Sequence, residues 1–235
     1  MLSLRHSTGN TSLVGTELGG VPKAYRIPVV IPALPALISV PLVQTHTEVL
    51  IRLCEQHGVQ LWMAWGMLQR GKALTELGQI DEGISQIEQG LSVCRATGAG
   101  DRTSHIAWLA EGYGKRGQPE EGLTILGEAL SQIDITGQHE DEAESYRLKG
   151  ELLLQQSPAN ATEAETCFHQ AISVAQNQQA KSWELRAATS LARLWQSQGE
   201  RDEARELLEP VYSWFTEGFD TADLIDAKAL LDVLS

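Results

Sequence analysis

The 235-residue sequence has little cysteine, little aromatic content and no excess of positive charge. Its three cysteines, Cys54, Cys94 and Cys167, lie far apart and form no Cys-x-x-Cys motif, so we expect reduced core thiols and a cytoplasmic protein. The formal net charge of −13 disfavours nucleic acid and anionic membranes as partners, since both require clustered lysine and arginine.

Motifs of catalytic sites are also missing from the sequence. A phosphate-binding loop requires Gly-x-x-x-x-Gly-Lys-Ser/Thr, which does not occur, and the superficially similar run at 112–115 lies in a predicted helix. Cys54 with His57 and Cys167 with His169 offer two ligands each, whereas a zinc site normally takes four, or three and a water. We therefore expect no enzyme activity, no catalytic residue, no metal site and no cofactor.

Proline is scarce after the first 44 residues, which hold five of the eight prolines. Those prolines interrupt the apolar stretch at 27–43 and prevent a continuous membrane-spanning helix there. We expect residues 1–44 to be a poorly ordered Pro/Gly-rich leader that precedes a repeat domain at 45–235. A targeting or anchoring role, and an extended segment packed on the first helices, are the alternatives for this leader.

After residue 44 the sequence repeats one pattern about every forty residues, which is typical of an array of helical hairpins. A small residue is followed four positions later by a large apolar one, and three positions after that by a small or medium one. The copies are Gly83-Ile87-Gly90, Gly122-Leu126-Ala129, Ala164-Phe168-Ala171 and Ala204-Leu208-Val211. Small residues are expected where the two helices of a hairpin cross closely.

Apolar residues at helical spacing predict about ten helices joined by short turns, and no strand. We predict an all-α fold in which about four hairpins stack as a solenoid and a helix at 221–234 caps the C-terminal end. The helix predicted at 47–57 is a second helix without its first. Val49, Leu50 and Leu53 are therefore expected to leave an apolar end at which the chain can self-associate.

The spacing of small and large residues resembles the tetratricopeptide repeat, with a period near 40 in place of the usual 34. The matching residues are Gly71, Leu74, Gly78 and Gly83; Ala110, Tyr113, Gly117 and Gly122; Gly150, Leu153 and Ala164; and Ala192, Trp195, Gly199 and Ala204. The resemblance implies a tetratricopeptide-like solenoid with somewhat longer helices. In such arrays the first helices line a concave groove that holds a peptide or a partner helix.

Carried over position by position, the resemblance implies a groove of twelve residues. They are Trp65, Leu68, Lys72 and Glu76; Glu111 and Lys115; Glu144, Arg147 and Glu151; and Arg186, Thr189 and Arg193. Because arginine offers a planar fork of donors, Arg147, Arg186 and Arg193 are expected to bind carboxylates of an acidic peptide. For any one of these residues, the alternative is a solvated helix face.

Four longer stretches, at 117–123, 146–154, 185–195 and 214–224, resemble one particular group of repeat proteins. They are similar to the C-terminal repeat region of large bacterial signalling proteins that join an adenylate/guanylate cyclase to an AAA/STAND-type ATPase. The resemblance implies a non-catalytic interaction or scaffold module of a bacterial signalling system. The alternatives are a regulatory C-terminal fragment of a cyclase/ATPase enzyme, and a truncated gene product with no independent role.

Overall fold

The computed structural model describes residues 40–99, 103–137 and 139–235, and in these residues the chain forms ten α-helices and no strand. They are α1 (Val40–His57), α2 (Gln60–Glu76), α3 (Ile80–Ala96), α4 (Thr103–Lys115), α5 (Pro119–Thr136), α6 (Glu142–Gln156), α7 (Ala161–Asn177), α8 (Lys181–Gln198), α9 (Arg201–Ser213) and α10 (Ala222–Leu234). A single 3-10 turn, Pro158–Asn160, precedes α7. The predicted all-α class is confirmed.

The helix predicted at 221–234 is found as α10, whereas the helix predicted at 47–57 starts earlier, as α1. This helix begins at Val40 and not at residue 47. Pro41 does not prevent the earlier start, because it falls in the first turn, where its missing amide costs no helical hydrogen bond. Most of the predicted leader, 1–39, lies outside the described residues, and 40–44 begin α1. None of the described helices has an apolar stretch long enough to cross a bilayer.

Successive helices pack as hairpins: α2 with α3, α4 with α5, α6 with α7, and α8 with α9. The first helices of neighbouring hairpins also contact one another in sequence, and α10 packs on both α8 and α9. The five first helices, α2, α4, α6, α8 and α10, therefore lie in one series. Their side chains on the shared face form the surface that we call the first-helix face.

The hydrophobic core continues from hairpin to hairpin along the array. One cluster joins α2, α3 and α4 around Leu68 and Ile87, and a second joins α4, α5 and α6 around Leu126. The largest runs from α6 to α10, with Phe168 and Leu191 fully buried at its centre. Each hairpin buries its apolar residues on its neighbours as well as within itself, as expected of a repeat array.

Glycine is required where α2 and α3 cross. A Cβ atom on Gly83 would lie 2.8 Å from the carbonyl oxygen of Gly71, and one on Gly71 would lie 2.7 Å from the carbonyl oxygen of Gly83. In the third hairpin, a Cβ atom on Gly150 would lie 2.8 Å from Cδ1 of Phe168. The prediction that small residues mark close helix crossings is confirmed at these positions.

Candidate functional site

The charged residues predicted for the groove meet in ion pairs along the first-helix face. On α2, Lys72 Nζ lies 2.6 Å from Glu111 Oε2 of α4 and 3.1 Å from Glu76 Oε1. The other Glu111 oxygen lies 2.8 Å from Lys115 Nζ. Glu111 therefore joins two helices and is shared by two lysines.

A second group of ion pairs lies deeper, between α6 and α8. Arg147 donates to both oxygens of Glu144, from Nε to Oε2 and from Nη2 to Oε1, at 2.8 Å in each case. Arg186 of α8 reaches the same carboxylate, with Nη2 2.8 Å from Glu144 Oε1. Glu144 and Arg147 are both buried, so this fork of two parallel hydrogen bonds is shielded from water.

Polar contacts also connect the remaining first helices. Gln155 Nε2 of α6 donates to the carbonyl of Gly114 in α4 at 2.7 Å. Ser190 Oγ of α8 donates to Glu151 Oε1 of α6 at 2.6 Å. Arg193 of α8 donates to Asp226 of α10. Each neighbouring pair of first helices is thus held by at least one side-chain polar contact as well as by apolar packing.

The ion pairs shift the pKa values of the acidic groups. Burial alone would raise the pKa of Glu111, but Lys72 and Lys115 outweigh it and hold that pKa well below its ordinary value. Burial acts likewise on Glu144, whose pKa is lowered on balance by Arg147 and Arg186. Both carboxylates are therefore ionised at neutral pH and fully engaged inside the chain.

Four of the twelve predicted groove residues are buried: Leu68, Thr189, and the ion-paired Glu144 and Arg147 described above. Leu68 is 0 % exposed and packs in the core between α2 and α3. Thr189 is buried, and its hydroxyl donates to the carbonyl of Leu185 within the same helix.

The three arginines do not form an open site for carboxylates. Arg147 is occupied by Glu144, Arg186 lies between Glu144 and Asp223, and Arg193 pairs with Asp226. A partner's carboxylate would have to displace a carboxylate of the chain itself. The acidic-peptide hypothesis therefore loses its structural basis.

An aromatic cleft lies at the α1 end of the first-helix face. Trp62 and Trp65 of α2 pack edge to face, with ring centroids 5.2 Å apart, and are 53 % and 39 % exposed. With Leu50, Gln69 and His105 they line a cleft of about 240 Å³. We call these five residues the tryptophan cleft. Of the twelve predicted residues only Trp65 belongs to it, and Trp62, which its helical spacing assigns to the core, is exposed instead.

The described residues contain no group of three or more His, Cys, Asp and Glu side chains that could hold a metal ion. Cys54, Cys94 and Cys167 are all buried and unbridged. Burial raises the pKa of the Cys167 thiol, which makes it a poorer nucleophile at neutral pH.

A tetratricopeptide repeat family profile matches residues 185–213, which include most of α8 and all of α9. The crystal structure of BtubC (BKLC) from P. vanneervenii is similar over 83 % of this chain and 89 % of that chain, with 14 % identity and a TM-score of 0.62. The described residues form a tetratricopeptide-like solenoid. No curated protein gives a significant match.

Two further solved structures share this tetratricopeptide-like fold. A Signal Transduction ATPase with Numerous Domains (STAND) protein with a tetratricopeptide repeat sensor, from Pyrococcus horikoshii, is similar over 74 % of this chain but only 27 % of its own, with 17 % identity and a TM-score of 0.57. A Rap protein complexed with Competence and Sporulation Factor is similar over 86 % of this chain and 58 % of its own, with 14 % identity and a TM-score of 0.58. These identities show the fold alone.

Sequence reasoning missed several residues that complete the face. Ser190 and Asp223 contact the ion pairs of α6 and α8, and Gln69 and His105 line the tryptophan cleft. Ser190 lies 39 residues after Glu151, as Glu111 lies 39 residues after Lys72, so the repeat period itself is the signal for these contacts. For Asp223 the irregular stretch between α9 and α10 breaks the period, and no such signal exists.

Proposed function

We propose that this chain is a non-catalytic interaction module that holds a segment of a partner protein along its first-helix face. The observation that carries the proposal is the tryptophan cleft at one end of that face. Large aromatic side chains that remain exposed beside an apolar cleft are typical anchors in protein interfaces. Tetratricopeptide-like repeats are generally binding modules, which supports the same conclusion.

The ion pairs determine what kind of segment fits. Because the arginines and lysines of the face are matched by the chain's own carboxylates, these basic side chains attract an acidic partner only weakly. Lys115 and Glu151 remain 38 % and 42 % exposed, so they are available for polar contacts of either sign at the edges. The partner we propose is a protein segment whose aromatic or large apolar side chain enters the tryptophan cleft.

We place the module in a bacterial signalling system in the cytoplasm. The support is the resemblance of residues 117–123, 146–154, 185–195 and 214–224 to repeat regions of cyclase–ATPase proteins. The structural likeness to a STAND protein with a tetratricopeptide repeat sensor agrees with this context. The same two observations favour one second candidate: that the chain acts as a regulatory C-terminal region of such an enzyme, with partner binding as its input.

The test is selection of random linear peptides, displayed on phage, against the full chain. We expect the selected peptides to share an aromatic or large apolar side chain, and Trp65→Ala to weaken their binding by about tenfold or more. The control is Trp214→Ala, which removes a more exposed tryptophan from the stretch after α9. Circular dichroism checks that both variants fold. Peptides that bind the two variants equally, or a selection that enriches none, would refute the proposed site.

A further inference from the structure

The two ends of the described array expose apolar side chains on different kinds of helix, a first helix at one end and a second helix at the other. α10 packs on α8 and α9 as α8 packs on α6 and α7, so α10 has the position of a first helix. α1 packs on α2 as α3 packs on α4, so α1 has the position of a second helix. Among the described residues, α10 has no second helix and α1 has no first helix. Each end therefore presents the half of a hairpin that the other end lacks.

The outer face of α10 carries an apolar stripe. Leu224, Ala227, Leu230 and Leu234 are buried against the array. On the opposite side Ala222, Ile225, Ala229 and Val233 are exposed, and Ile225 and Val233 are 55 % exposed. Their spacing of three, four and four residues aligns them along one side of the helix. The predicted capping helix therefore exposes an apolar stripe on the side that faces away from the array, flanked by exposed Asp226, Lys228 and Asp232.

The outer face of α1 also exposes large apolar side chains. Thr47 and Cys54 are buried towards α2, whereas Val49 and Leu53, one helical turn apart, are 49 % and 48 % exposed. Leu50, which was expected at the open end with them, is half-buried and lines the tryptophan cleft. The outer face of α1 thus presents Val49 and Leu53 beside exposed Thr45, Arg52 and Gln56.

We propose that the chain associates end to end with a second copy of itself, the outer face of α10 packing on the outer face of α1 of the next copy. A first helix then meets a second helix, as in every hairpin inside the chain, and the hydrophobic core continues across the junction. The contact joins two different surfaces, so each copy retains a free face at either end of a pair. Such a contact produces chains of copies, or rings if the rotation closes.

The test uses the full chain and follows its mass by sedimentation equilibrium as concentration increases. We expect the average mass of the unmodified chain to rise past that of a dimer. A tail variant, Ile225→Glu with Val233→Glu, and a head variant, Val49→Glu with Leu53→Glu, should each remain monomeric. Leu77→Glu, which alters an exposed leucine in the turn after α2, should assemble normally. Thermal melts check that the variants fold.

Mixing the two variants gives the decisive measurement. The tail variant keeps its α1 face and the head variant keeps its α10 face, so one intact junction can form between them. The mixture should therefore give dimers and nothing larger. A tail variant that still dimerises would mean that α1 faces pair with each other, and an unmodified chain that stays monomeric would mean that something else covers the faces. Either result overturns the proposal. Trp65→Ala should leave assembly unchanged, which separates this proposal from the binding of a partner segment.

Discussion

Replacing Gly83 by alanine tests the close crossing of α2 and α3 with the smallest possible change. The added Cβ atom would lie 2.8 Å from both the carbonyl oxygen of Gly71 and the backbone nitrogen of Thr75. Backbone atoms cannot rotate away as a side chain can, so the helices must separate. Overpacking of this kind costs about 1–3 kcal/mol in the free energy of unfolding.

The intrinsic preference of alanine for helix acts in the opposite direction. Alanine in place of glycine inside a helix stabilises it by about 1 kcal/mol. Gly127 of α5 supplies the matched control, because a Cβ atom there would meet no atom within 4 Å. Gly127→Ala should therefore raise the free energy of unfolding by about 1 kcal/mol, while Gly83→Ala should lower it or leave it unchanged.

The assay is urea denaturation of the two variants and the unmodified chain, followed by circular dichroism at 222 nm, a standard wavelength for helix. Because the helix-propensity gain is common to both variants, their difference isolates the packing penalty of about 1–3 kcal/mol. Equal stability of Gly83→Ala and Gly127→Ala would refute the close crossing. It would also remove the physical reason for a small residue at this position of the repeat.

Two further predictions concern the ion pairs of the first-helix face. Glu144→Ala leaves buried Arg147 without the carboxylate that it contacts most closely, and should lower the free energy of unfolding by about 3–5 kcal/mol in urea denaturation. The control is Glu206→Ala, at an exposed position of α9, which should change that free energy by less than about 0.5 kcal/mol. Equal effects of the two variants would contradict the buried pair. The pKa of Glu111 is lower in the folded chain than the ordinary value of about 4.3, so the folded state binds fewer protons and loses stability as the pH falls below about 4.3. Glu111→Gln should weaken this acid sensitivity, measured by melting temperature between pH 7 and about pH 3, and an unchanged pH profile would contradict the assignment.

The fold followed from the sequence because the repeat supplies the same signal several times. Small residues at helix crossings and glycines at turns recur at a nearly constant period, so one misplaced helix would break the pattern of the others. After the second helices α1, α3, α5 and α9, turn glycines with positive φ occur at 58, 98, 137 and 218. The corresponding position after α7 is Gln179, with φ of 56°. The turn there was still predictable, because the neighbouring copies fix where the helix must end.

The candidate site was less predictable, because a repeat pattern indicates which residues pack in the core but not which charged side chains form ion pairs. Sequence could assign Lys72 and Glu111 to the same face, but their 2.6 Å contact depends on how far one first helix is displaced along the next. Trp62 could not be distinguished from a core tryptophan, since exposure at the end of an array depends on what precedes it.

The ion pairs and the tryptophan cleft have different roles on the first-helix face. Removing a buried partner such as Glu144 is costly, so the pairs hold neighbouring first helices in a fixed register and give the face its shape. Since those charges are already neutralised, they discriminate little between partners. An apolar anchor buried in the cleft beside Trp65 gains stability in proportion to its area. Under the proposed function, the ion pairs in the middle of the array therefore fix the shape of the face, and the aromatic end selects the partner.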